Sequence, residues 1–385
     1  MTRTVLDCGY VPLIDCAPLI IAQELGFAAE EKLDLNLVAQ PSWSALRDML
    51  ALGHLDAAQM LSPMPVAMSL GIGGLTAQVD ALMVLSVNGT VFGVSSALAA
   101  DLHKRGATFG GAAALHQHLA ALKLDRLRIG VPFHFSMHRL LLEYWLAASD
   151  VPCAKDVEII TIPPPRMADA LEMNEIDAFW VGEPWGSVAV ARGVGELVLP
   201  GNEIWSFAPE KVLAVRHSWS DEHPKSARRL MRAIYHAARW LDREENKPLA
   251  VEILARSAHL NLAPELIDPA ISGHLLPASD ASPLSIERFV LFHKGAAGFP
   301  WRSQAAWIAA QLGVSDAQVN HAKACFRSDL YRQNLGPIGA DLPGASEKIE
   351  GTMRHATAVS STRGHMILGP DAFFDGKTYE SPPEN

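Results

Sequence analysis

Four places in this chain set a helix-starting signal directly after an apolar, strand-like run: near Asp15, at Ser42–Trp43, at Ser62–Pro63 and at Ser136–His138. A helix start presents unpaired backbone N–H groups and roughly half a positive charge, so a small anion is the guest that suits it. Trp43 adds an indole N–H, which donates and cannot accept, and Ser44 beside it adds a hydroxyl. His138 donates through a ring nitrogen, and Lys211 in "APEKVL" supplies a full charge. Thr90 lies in the "NGT" turn between the two halves of the pattern, and Pro164 lies in a "PPP" run that reads most simply as a rigid strand exit, with part of a cleft rim as the alternative. These residues make a donor-rich, acceptor-poor set, the chemistry expected around an oxyanion that carries no proton near neutral pH. Each charge-assisted hydrogen bond contributes about 1.5–3 kcal/mol.

Plainer roles compete with these. A Trp in an amphipathic helix is more often core than ligand, a His at a helix start is more often a cap, and a Lys on a strand edge is normally solvated. His134 and His138 stand four residues apart and would share a metal only if both lay on the helix; the "PF" before His134 keeps it in the loop, and no third ligand is evident. Glu183 in "GEPW" and His138 are candidates for an acid/base pair at strand ends. No nucleophile with a partner base is recognisable. No G-x-G-x-x-G follows a strand, "LGIGGLTAQ" reads as a helix end, and a P-loop is absent. Neither a cofactor nor a metal is expected, and binding is favoured over catalysis.

The elements that must position these residues alternate. "TVLDCGYV", "LDLNLVAQ", "LDAAQML" and "ALMVLSV" read as strands separated by helices, which implies a parallel sheet with helices on both faces. The pattern restarts with "LRIGVPF", "VEIITIP", "IDAFWVG" and "GELVLPG", with helices over 138–149 and 166–174. "EKVLAVRHSW" returns toward the first unit. The expectation is an α/β chain with two lobes joined by two crossings, near 90–95 and 208–216, with a cleft between them: the layout of a type-II periplasmic-binding-protein fold. Residues 1–90 form the first part of lobe 1, 91–211 form lobe 2, and 212–385 return to lobe 1 and continue as a helical C-terminal extension. That extension reads as the helices "SARRLMRAIYHAARWLDRE", "PLAVEILARSAHL", "SIERFVLFH", "SQAAWIAAQLG" and "DAQVNHAKACF". The tail from Met366 has extended and turn character, and its last residues, 381–385, are expected to be mobile.

Composition bounds the rest. The chain has 385 residues, 49% hydrophobic and 19% charged, enough to bury a large core. A formal net charge of −10, with no Lys/Arg block, argues against direct nucleic-acid binding. No run of 18 uninterrupted apolar residues predicts a membrane span. The sequence opens without a secretory-signal pattern, and the four cysteines show no C-x-x-C spacing, so reduced thiols in a cytoplasm are expected.

"VPLIDCAPLIIAQELGF", "PSWSALRDMLALGHLDAAQMLSPMP", "LSVNG", "HRLLLEYWLAA", "IDAFWVGEPW" and "PEKVLAVR", in this order, resemble the nitrate- and bicarbonate-binding proteins of cyanobacterial-type ABC transporters. Further on, "PWRSQAAWIAAQ", "LPGASEKIEG" and "GPDAFFDG" are most similar to the NasS-type branch, cytoplasmic nitrate/nitrite sensors that pair with a NasT-type RNA-binding antiterminator. The resemblance implies that Trp43 matches an anion-binding Trp, His138 a cleft His, Lys211 the Lys that pairs with nitrate, and Pro164 a further contact. The bicarbonate branch carries an acidic residue where Lys211 stands, so Lys211 points to nitrate. Thr90 stands where the transporter proteins carry a Gln, Arg139 where they carry an Asp, and Ala208 where a His is common. What is implied is a nitrate/nitrite receptor that closes on its ligand and thereby releases its partner; the alternatives are a transporter binding protein or an enzyme on the same scaffold.

Overall fold

The computed structural model describes residues 3–74, 77–149 and 151–383. Leu75 and Thr76 of the glycine-rich run and the last two residues of the tail lie outside the described residues. Lobe 1 begins β1 (Thr4–Tyr10), α1 (Ala17–Glu24), β2 (Leu33–Ala39), α2 (Trp43–Ala51), β3 (Ala57–Leu61), α3 (Pro63–Ser69) and β4 (Val79–Asn88). β1 pairs in parallel with β2 and β3, so its carboxyl end faces the crevice where the strand order reverses. Lobe 2 contains β5 (Thr90–Ser95), β6 (Leu124–Val131), α4 (Met137–Ala147), β7 (Ala154–Thr161), α5 (Met167–Glu172), β8 (Ala178–Gly182) and β9 (Gly195–Pro200). Its five-stranded sheet runs β7-β6-β8-β5-β9, with β6 parallel to β7 and β8 and β5 antiparallel to β8 and β9.

The chain then recrosses, and β10 (Pro209–Arg216) inserts between β3 and β4, antiparallel to both. Lys211 therefore belongs to the sheet of lobe 1, whereas the boundary expected from the sequence left it at the end of lobe 2. The first crossing turns on two successive left-handed residues, Asn88 (φ 62°) and Gly89 (φ 87°), and only glycine adopts the second without strain. The Asn88 side chain ties the two crossings together. It donates to the Ser206 carbonyl at 3.0 Å and accepts from the Ala208 N–H at 3.0 Å.

The C-terminal extension packs over lobe 1. α6 (Pro224–Leu241) lies against α1 with its apolar face buried. "SIERFVLFH" is not a helix. Its Val290–Leu291 form β11, the edge strand that pairs antiparallel with Asn88 and Val87 of β4 and completes the sheet β11-β4-β10-β3-β1-β2. An open sheet edge outweighed the weak helical periodicity of that stretch. α7 (Arg302–Gln311) follows, and β12 (Thr357–Ser361) and β13 (Gly364–Leu368) form a hairpin. Trp205, Trp307 and Phe373 stack with ring centroids 4.7–5.7 Å apart, which pins the tail to the second crossing. Near the end of the described chain, Asn320 Nδ2 donates to the Pro383 carbonyl at 2.8 Å. No helix among the described residues is long and apolar enough to cross a membrane.

Candidate functional site

Lys211 enters the cleft because β10 is irregular. Its ladder with β4 advances from Pro209 to Lys211 while β4 advances only from Val87 to Ser86. Such a bulge re-aims side chains, so that neighbours which should alternate across the sheet converge instead. Glu210 Oε1 lies 2.6 Å from Lys211 Nζ, and Asp15 Oδ2, from the turn after β1, lies 2.7 Å from the same nitrogen. All three side chains are sealed from water. The other oxygen of Asp15 accepts from Gln59 Nε2 on β3, and Gln59 Oε1 accepts from the Val11 N–H at 2.9 Å.

Two aromatic side chains close over this cluster, one from each lobe. Trp43 is the first residue of α2, which Ser42 caps by accepting from the Ala45 N–H. The Lys211 ammonium sits 5.2 Å from the centre of the Trp43 ring, while the buried Nε1 has no hydrogen-bond partner. His138 occupies the first turn of α4, where Ser136 caps the helix by accepting from the Arg139 N–H. His138 Nδ1 lies 3.4 Å from Glu210 Oε1, poorly aligned for a hydrogen bond, and neither ring nitrogen has a partner. Gly182, at the end of β8, packs closely against this cluster. A Cβ there would stand 3.6 Å from both Asp15 Oδ2 and His138 Nε2 and would collide with Leu13. The lobes also meet through main chain: the Ile14 N–H donates to the Glu183 carbonyl at 3.0 Å, and Trp185 Nε1 to the Pro12 carbonyl at 3.0 Å.

Burial and charge set the protonation states. Burial, aided by Lys211, holds His138 well below the ordinary imidazole range, so the ring is neutral, with one donor nitrogen. Burial raises Asp15, and the charge and hydrogen bond of Lys211, with that of Gln59, only partly offset it. Glu210 is pushed up to about 7 by burial, against the pull of Lys211. Burial pulls Lys211 down, but Asp15 and Glu210 outweigh this and raise it, so the ammonium stays charged. The donor-rich, acceptor-poor set expected from the sequence is thus corrected. Trp43 and His138 offer unpaired nitrogens, but the one full positive charge already faces two carboxylates.

Of the six residues read from the sequence, Trp43, His138 and Lys211 come together. Ser44 is half-buried, with its Oγ 3.0 Å from that of Ser42. Thr90 Oγ1 accepts from Trp180 Nε1 at 3.0 Å inside lobe 2, and Pro164 is buried in the turn after β7. Glu183, the acid/base candidate, turns its carboxylate to the Ser187 N–H at 3.0 Å, and the carboxylate facing His138 is that of Glu210. His134 is exposed and meets Arg139 and Thr161, away from His138. Sequence reasoning missed Asp15 as a ligand of Lys211, Gln59 behind it, and Glu210. Asp15 was marked as a helix start, but nothing in "PEKVL" betrays the bulge. Among the described residues, no three of His, Cys, Asp and Glu are grouped to hold a metal ion.

The model of one protein family, described as NMT1-like, matches residues 2–255. The chain belongs to the NMT1-like family. The chain is also related to the nitrate/nitrite binding protein NrtA of Nostoc sp., with 28% identity over 397 residues covering 98% of this chain and 83% of that protein. The crystal structure of the periplasmic nitrate-binding protein NrtA from Synechocystis PCC 6803 superposes with a TM-score of 0.82 at 27% identity, covering 98% of this chain and 96% of that one. The nitrate import ATP-binding protein NrtC of Synechocystis sp. is 34% identical over 350 residues, 88% of this chain. The chain spans about half (51%) of the length of that relative. The two-lobed α/β periplasmic-binding-protein fold is therefore shared with the NrtA proteins, and this NMT1-like chain is homologous to non-enzymatic solute-binding proteins.

Proposed function

We propose that this protein binds nitrate or nitrite in the cleft between its lobes. The observation that carries the reading is a set of unpartnered, buried nitrogens from both lobes, Trp43 Nε1 and His138 Nδ1 and Nε2, on two rings that border the Lys211–Glu210 pair. Buried donors without acceptors are costly, by roughly 1–3 kcal/mol each, and a planar oxyanion between them removes that cost. Titration calorimetry of the full chain with nitrate, nitrite, bicarbonate and sulfate tests it. Heat from nitrate or nitrite is expected, and its absence for both would sink the reading.

We further propose that the receptor is cytoplasmic and acts as a sensor. In its empty, open form it holds a NasT-type antiterminator, and closure around the anion releases that protein. The support is the likeness of 300–311, 342–351 and 369–376 to the NasS-type branch. Thermodynamic reciprocity then requires the partner to weaken anion binding by the factor by which the anion weakens the complex. The relatedness to NrtA favours a second reading, a binding protein serving an ABC transporter. Gel filtration of the two proteins together, with and without nitrate, separates the readings. A complex equally stable in saturating nitrate would end the release mechanism, and no complex at all would leave the transporter reading.

A further inference from the structure

The site carries one more acid than an anion receptor needs. Lys211, Asp15 and Glu210 together bear one net negative charge when all are ionised, and all three side chains are sealed from water. A second buried negative charge, with no second cation beside it, is heavily disfavoured. We propose that Glu210 sets the charge of the guest: a monoanion enters the cleft together with one proton, which bonds to the Glu210 carboxylate, and a dianion is refused. This rests on the anion-binding reading above.

The geometry selects Glu210 over its neighbours. Burial raises Asp15 too, but beside Lys211 its second oxygen accepts from Gln59 Nε2, whose own oxygen is held by the Val11 N–H, and this second bond opposes the rise; Glu210 has the hydrogen bond of Lys211 and no such second one. Glu210 Oε1 occupies a Lys211 N–H and lies 3.4 Å from His138 Nδ1, so it stands between the donors that an anion would use. Protonation from solvent frees that Lys211 N–H for the guest and turns an acceptor into an O–H donor. The titratable groups facing Glu210 are Lys211 on its own strand, Asp15 from the turn after β1 and His138 from α4. α2 contributes the Trp43 indole, β3 contributes Gln59, and Ser62 follows β3 with its N–H on the Glu210 carbonyl; none of these side chains titrates. Burial already lifts Glu210 to about 7, so an added negative charge moves it further in the same direction.

The experiment is calorimetry of the full chain with sodium nitrate in Tris and in HEPES, whose ionisation enthalpies differ. At pH 8 the observed enthalpy should differ between buffers by an amount equal to uptake of up to one proton. At pH 5.5, where Glu210 is already protonated, the difference should vanish. Affinity should fall by up to about tenfold per unit above pH 7. Glu210→Gln should remove the buffer difference and bind nitrate more tightly than the unsubstituted protein at pH 8, while Glu210→Asp should restore the uptake. Sulfate in hundredfold excess should not compete. Nitrate heats identical in both buffers at pH 8, an uptake that persists in Glu210→Gln, or effective competition by sulfate would each overturn the proposal and leave nitrate binding standing. No heat with nitrate at any pH would overturn the binding reading and this proposal with it.

Discussion

Lys211 and Lys348 each lie between two carboxylates and beside a tryptophan, and they differ in what is left unpaired. Lys348 pairs with Glu350 and Asp371 and sits 5.7 Å from the centre of the Trp301 ring. Its carboxylates are completed from behind: Ser303 Oγ donates to Glu350 Oε1 at 2.6 Å, and the Met353 N–H to Asp371 Oδ1 at 2.7 Å. The three C-terminal motifs meet in this cluster, where it joins α7, the 342–351 loop and the tail. Lys211, Asp15 and Glu210 repeat the charges beside Trp43, but there a neutral imidazole with two idle nitrogens faces them across the cleft. The Lys348 cluster leaves idle only the Trp301 Nε1 among its named groups, and it closes within one region. A saturated ion cluster fastens the chain; an unsaturated one between lobes is built for a guest.

The largest expected effect tests this contrast directly. Lys211→Met and Lys348→Met should each destabilise the protein by about 3–5 kcal/mol, because each strands buried carboxylates without a cation. Only Lys211→Met should also abolish nitrate binding; a folded Lys348→Met should bind nitrate as the unsubstituted protein does. The loss should be smaller at pH 5 than at pH 8 for both, since protons then neutralise the stranded acids. Denaturant melts at both pH values, with anion titrations beside them, check this. Loss of nitrate binding in a folded Lys348→Met protein would break the distinction.

A second test uses Glu183, a buried acid that no cation among the described residues offsets. Its Oε2 accepts from the Ser187 N–H, its Oε1 has no partner, and burial pushes the group up to about 7 from an ordinary value of 4.5. The folded protein thus holds this proton more tightly than the unfolded chain. Its contribution to stability is full below about pH 4.5 and is lost as pH rises through about 7. Glu183→Gln should remove that slope and stabilise the protein at pH 8 by roughly 1–3 kcal/mol, with little gain at pH 5. Melting curves across this range decide it, and a parallel pH profile in the variant would refute it.

How much of this could be read from residues alone follows the same contrast. The alternation of strands and helices is plain because the longer strands are apolar runs, as in β4 and β8, or alternate apolar and polar residues, as in β2, and helix caps or turns separate them. Trp43 and His138 were legible because Ser42 and Ser136 announce their helix starts. Glu210 was not, because a regular strand would place it on the face opposite Lys211, and the bulge that overrides this depends on β4. Val290–Leu291 were missed for a like reason, since pairing with β4 fixes an extended form that local pattern does not demand. The Lys348 cluster was spelled out in three motifs, but their meeting is a tertiary fact.

A smaller effect separates the two tryptophans. Trp43→Phe keeps the ring under Lys211 and removes only the idle N–H, so folding stability should change by less than about 0.5 kcal/mol while nitrate affinity falls about tenfold, the worth of one hydrogen bond to an anion. Trp301→Phe should be as mild for stability and leave affinity unchanged. Equal affinities in Trp43→Phe and the unsubstituted protein would remove the indole from the anion site.

The smallest expected effect lies where the two regions touch. Tyr144, on the same helix as His138, donates to Asp375 at 2.9 Å and packs against Trp307, Phe373 and Phe374 of the extension. The same tail holds the second crossing, with the Phe374 N–H on the Ile204 carbonyl at 2.9 Å and the Ser206 N–H on the Ala372 carbonyl at 3.0 Å. The tail that the Lys348 cluster anchors therefore grips both the helix that presents His138 and the segment that leads into Lys211, so opening the cleft must loosen this grip. Tyr144→Phe deletes one hydroxyl and leaves the ring, which should cost about 0.5–1.5 kcal/mol of stability. If the grip favours closure, part of that energy comes from the closed form alone, and nitrate affinity should fall by a few-fold while the ligand-free radius of gyration rises. Scattering and titration on this variant measure both. A lowered melting point with affinity and radius unchanged would show that the tail only fastens the fold, and that the saturated cluster and the open one work independently.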